Sequence, residues 1–128
     1  MDKIKLLFVD DEVDFLATIE EFFTGLGYPV FTASNGQQGL LRLKESLPDV
    51  VFLDISMPYM DGSETLRLIR EINPKIKVII VSGYASESLA KDLLTQGAYD
   101  FFQKPIDLLQ LHNTIERIAL LKDLAGPQ

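Results

Sequence analysis

Two rhythms of apolar and polar positions alternate along the chain. Short, nearly continuous apolar runs, rich in β-branched and aromatic side chains, occupy residues 4–9, 30–33, 50–53, 78–81 and 99–102 and predict five strands. Between them apolar positions recur at three- and four-residue steps, which predicts helices over 13–24, 37–45, 64–71, 87–95 and about 107–122. In the first helix Phe15, Ile19, Phe22 and Phe23 share a face and leave Glu20 and Glu21 outward. Turn formers mark the junctions: Gly25, Gly27 and Pro29, then Asn35-Gly36, Pro48-Asp49, Asp61-Gly62, Asn73-Pro74 and Gly97. Five βα units in succession, with strands apolar on both faces, predict an α/β fold in which helices cover both sides of a parallel sheet.

The polar residues gather where the strands end. Asp10, Asp11 and Glu12 follow the first strand, Asp54 the third, Ser82 the fourth and Lys104 the fifth, while the second offers nothing comparable. In a parallel α/β sheet these positions share one edge, and ligands bind there at the point where the strand order reverses. With the order 2-1-3-4-5, Asp54 would face Asp10 and Asp11. Carboxylates so close repel unless a cation compensates. The ligands on offer are oxygens, with no cysteine and no histidine nearby, and they suit Mg²⁺ better than a transition metal. Each residue also has an ordinary explanation: Asp11 as a helix cap, Asp54 as the start of a loop, Ser82 as a small turn residue, Lys104 as a surface charge. Four separate strand ends carrying an acid pair, an acid, a hydroxyl and a lysine make a combination that those explanations do not cover.

Composition excludes several classes. The 128 residues suit one domain, which we place at 1–122 with 123–128 as a tail or the start of a linker. A net charge of −7 repels nucleic acid and anionic membranes, so no direct nucleic-acid or membrane partner is expected. No run approaches membrane-spanning length and no signal-peptide pattern is present, so a cytoplasmic module is expected. His112 reads as a partly solvated helix residue away from the acidic edge, and Met57 and Met60 as loop packing.

The stretches "LLFVDDE", "VVFLDISMPYMDG", "IIVSGYA" and "FFQKPI", in this order and each at a strand end, resemble the receiver domains of bacterial response regulators, from about Lys3 to Leu121. The resemblance implies a flavodoxin-like, doubly wound (βα)5 fold of strand order 2-1-3-4-5. It also implies Asp54 as the phosphorylated aspartate, Asp11 as a direct Mg²⁺ ligand, Asp10 assisting through water, and the backbone carbonyl of Ser56 completing the set, with Mn²⁺ an alternative ion. Ser82 would be the switch hydroxyl, Phe101 the switch aromatic and Lys104 the phosphate-binding lysine, with Lys104-Pro105 a candidate cis bond. Phe101 and Ser56 depart from the commonest pattern, where Tyr and Asn are frequent. The implied partners are a sensor histidine kinase or histidine phosphotransfer protein as donor, an output domain or downstream protein, and a second copy of the chain on phosphorylation. Such a domain is no conventional enzyme, but catalyses its own phosphorylation and dephosphorylation.

The residues permit this chemistry. A carboxylate can attack phosphorus to give a reactive acyl phosphate, provided that charge on the equatorial oxygens is neutralised, which Mg²⁺ and Lys104 would do. Three other functions fit less well. A haloacid-dehalogenase-type phosphatase needs a second Asp two residues after the nucleophile, where Ser56 stands. A flavin carrier must cradle phosphate in its first loop, where "DDE" would repel it. A receiver acting purely as a binding module would have no use for the complete residue set.

Overall fold

A computed structural model describes residues 3–57, 61–83 and 87–125. Ten elements alternate along it: β1 (Leu6–Val9), α1 (Val13–Gly25), β2 (Val30–Ala33), α2 (Gly36–Ser46), β3 (Val50–Asp54), α3 (Gly62–Ile72), β4 (Lys77–Ser82), α4 (Glu87–Thr95), β5 (Asp100–Gln103) and α5 (Leu108–Ala125). The sheet is parallel throughout, in the order β2-β1-β3-β4-β5. Helix α5 continues past the boundary expected at 122. Met60, together with the neighbouring parts of the "SMPYM" and "GYA" stretches, lies outside the described residues.

Strand alternation sorts the apolar runs into two cores. Leu6 and Phe8 of β1, Val50 and Phe52 of β3 and Ile79 and Val81 of β4 meet Leu16, Ile19 and Phe23 of α1 and Leu111, Ile115 and Ile118 of α5. Leu7 and Val9, Val51 and Leu53, and Val78 and Ile80 project to the other side, against Leu43, Leu66, Ile69 and Leu93 of α2, α3 and α4. This two-sided burial is why the central strands carry unbroken apolar runs. Phe8 pairs with Phe52 across β1 and β3, their rings stacked at 4.3 Å.

Helix starts follow local chemistry. The side chains of Asn35 and Asp61 accept from the backbone N–H groups of Gln38 and Glu64, capping α2 and α3. Helix α1 has Glu12 at its N-cap with no side-chain cap bond, so neither Glu12 nor Asp11 serves there as a cap. Met57 is buried in the second core. His112 is half-buried, its Nε2 2.9 Å from Glu116 Oε1, among the rings of Phe22, Phe23 and Tyr28.

Candidate functional site

The same alternation puts Asp54 on the α1/α5 side, in line with Val50 and Phe52. At the exits of β1 and β3 the chain makes the same turn twice. Glu12 N–H donates to Asp10 Oδ1 at 2.9 Å, and Ser56 N–H to Asp54 Oδ1 at 2.9 Å. Such Asx turns lock a carboxylate to the backbone two residues on. The Ser56 hydroxyl adds a second bond to Asp54 Oδ1 at 2.6 Å. Asp10 and Asp54 are each only 2% exposed.

Lys104 reaches this pair from the end of β5. Its backbone N–H is held by the Ser82 carbonyl at 2.9 Å, so β4 fixes where the lysine departs, and the Lys104-Pro105 bond is cis, as expected. Its Nζ lies 2.8 Å from Asp10 Oδ2, 2.8 Å from Glu12 Oε1 and 3.3 Å from Asp54 Oδ2, and 4.9 Å from the centre of the Phe15 ring. Burial works to lower the pKa of the ammonium. The bonds to Asp10 and Glu12 and the charges of Asp10 and Asp54 outweigh it, and the group is held above the ordinary lysine range. Asp10 shifts the other way from a typical ion-paired acid. Burial pushes its carboxyl up, the bonds from Lys104 and the Glu12 N–H oppose this, and the Asp54 charge adds to the rise.

The structure therefore brings together Asp10, Asp54 and Lys104, with Ser56 bonded to Asp54. Among the described residues the acidic group that brings one carboxylate oxygen from each member within 4.8 Å of the others is Asp10, Glu12 and Asp54. Asp11 is exposed and is not a member of that group. The sequence pattern marks Glu12 only as part of the acidic run, and its signal is the third acid of "DDE". Ser82, 2% exposed, and Phe101, half-buried, both take the strand parity of the second core, where Phe101 packs. A groove of about 590 Å³, lined in part by Glu12, Phe15, Ser56, Lys104, Pro105 and Ile106, opens onto the site. The donor set fits a hard divalent cation: Asp10, Glu12 and Asp54 offer carboxylate oxygens, and Asp10 and Asp54 are each held by a backbone N–H bond.

The chain matches the family of response regulator receiver domains over residues 6–116, and it belongs to that family, the receivers of two-component signalling. It is 34% identical to sporulation initiation phosphotransferase F of Bacillus subtilis (strain 168), over 92% of this chain and 95% of that protein. It is 37% identical to the transcriptional regulatory protein ZraR of Escherichia coli (strain K12), over 91% of this chain but 26% of ZraR, so it spans about a quarter of that relative's length. A CheY-like receiver domain protein from Methanospirillum hungatei JF-1 superposes with a TM-score of 0.90 at 27% identity, covering 98% of this chain and all of that one. Among the described residues no helix is long and apolar enough to cross a membrane.

Proposed function

We propose that Asp54 accepts a phosphoryl group from a histidine kinase or histidine phosphotransfer protein. The observation that carries this reading is a buried carboxylate set 3.3 Å from a lysine ammonium, with one oxygen already held by two Ser56 bonds. Asp54 Oδ1 is pinned, so Oδ2 is the oxygen left to attack. A bond forms from Oδ2 to phosphorus as the donor's P–N bond breaks, and the departing imidazole keeps the electron pair and takes up a proton. Lys104 draws off negative charge from the transferring oxygens. Asp10, Asp11, Asp54 and the Ser56 carbonyl are the proposed ligands of Mg²⁺, or of Mn²⁺ in its place. When bound, such an ion supplies further positive charge against the equatorial oxygens.

The acyl phosphate presents three strong acceptor oxygens at the sheet edge where β4 ends in Ser82. Donation from the Ser82 hydroxyl draws that strand end inward and changes the space available to Phe101 on β5. The face formed by α4, β5 and α5 then favours its partner-binding form. That partner is an output domain, a downstream protein or a second copy of the chain. Incubation with Mg²⁺ and acetyl phosphate should add one phosphoryl group by intact-mass measurement, and Asp54→Asn should abolish the addition. Labelling undiminished in that variant would remove Asp54 from the role.

A further inference from the structure

We propose that Glu12 is a positioning residue, a resting latch that holds Lys104 toward β1 until Asp54 carries a phosphoryl group; the inference rests on the phosphoacceptor reading. Lys104 has three N–H donors and three carboxylates around it, but they are not equivalent. The contacts to Asp10 and Glu12 are 2.8 Å and that to Asp54 is 3.3 Å, so the ammonium leans away from the acceptor. Glu12 stands at the N-cap of α1 yet makes no side-chain cap bond. Its carboxylate reaches Lys104 instead.

Exposure decides which contact yields. The Glu12 side chain is 62% exposed, whereas that of Asp10 is 3% exposed. A bridge open to water is screened and easily released, while breaking the buried one strands a charge. Oxygens of Glu12 and Asp54 lie within 4.8 Å of each other, so an anionic group added to Asp54 repels Glu12 and attracts Lys104 together. Both forces open the latch. Glu12 thereby sets how readily Asp54 is charged, by competing for the cation and by repelling an anionic donor.

The test is Glu12→Gln, which keeps the length of the side chain and removes its charge. Labelling of Asp54 by acetyl phosphate with Mg²⁺ should accelerate about two- to fivefold, the range expected for one exposed ion pair. Its salt dependence should weaken. A second readout needs no turnover: the Lys104 side-chain methylene NMR signals should differ between wild type and Glu12→Gln in the free protein, and coincide once both carry the phosphoryl mimic beryllofluoride. Identical Lys104 signals in the two free proteins would overturn the latch, as would a difference that persists with the mimic bound or an unchanged labelling rate. Failure of the wild type to label would instead overturn the phosphoacceptor reading, and the free-protein spectra would still judge the resting contact.

Discussion

Replacing Lys104 by Met removes the ammonium but keeps an apolar stem against Phe15. The side chains of Asp10 and Asp54, 3% and 2% exposed, then face each other without the positive charge between them. Asp54 retains both bonds from Ser56, and Asp10 retains the Glu12 N–H, so neither loses every partner. Removing one member of a fully buried pair costs about 3–5 kcal/mol. Here Lys104 keeps 16% exposure and its Glu12 bridge is screened, which places the expected loss at about 2–3 kcal/mol near pH 7. For a domain of this size that is a fall in Tm of about 6–15 °C, measured by circular dichroism in EDTA. The loss should depend on pH with a definite sign. Burial holds the Asp10 carboxyl above its ordinary pKa of 3.8. Between those two values the folded state keeps a proton that the unfolded chain has released, so stability falls as pH rises through the window. The Lys104 bond narrows that window, and the variant widens it. The deficit against wild type should therefore be largest at neutrality and shrink as pH falls toward about 4. A Tm within about 1 °C of wild type at pH 7, or a deficit constant from about pH 4 to 7, would refute the electrostatic account of the site.

Three further outcomes are expected. Gly39→Ala puts a Cβ 2.9 Å from Val9 Cγ2 and 3.2 Å from Cγ1, against a stiff, buried side chain. The overpacking, about 1–3 kcal/mol, should outweigh the helix-propensity gain of about 1 kcal/mol, and a rise in the urea midpoint would contradict it. Ser82→Ala should still be phosphorylated while the NMR shift changes on α4, β5 and α5 shrink; the full wild-type pattern there would leave Ser82 as only a small buried residue closing β4. Leu47, 64% exposed at the end of α2, has φ 50° and ψ 62°, a left-handed conformation that suits glycine. Leu47→Gly should stabilise by about 0.5–1 kcal/mol, and a lowered Tm would show that the leucine packs more than its exposure indicates.

The sheet was legible because burial on two sides leaves a plain mark: Val50 to Leu53 can be apolar at every position only if α1 and α5 cover one parity and α2, α3 and α4 the other. The strand ends were legible for the same reason, since Asp54 and Ser82 interrupt runs that otherwise have no polar residue. Turns were harder. The left-handed turn after α2 falls on Leu47, a residue type that gives no sign of it, whereas Asn35 and Asp61 cap where their chemistry says they should. The end of α5 was blurred because its buried residues stop at Ile118 while the helix runs on to Ala125, with Lys122 bridged to Asp49 along the way. The acidic run was the least determinate stretch. Three adjacent carboxylates leave open which of them turn toward Asp54, and the choice is made by a backbone bond, from Glu12 N–H to Asp10 Oδ1, that composition does not encode. The turn after β3 repeats it with Ser56. In both, the residue two positions past the aspartate has its side chain brought back to the site, Ser56 onto Asp54 and Glu12 onto Lys104. That geometry, rather than the number of acids, sets the resting position of the lysine.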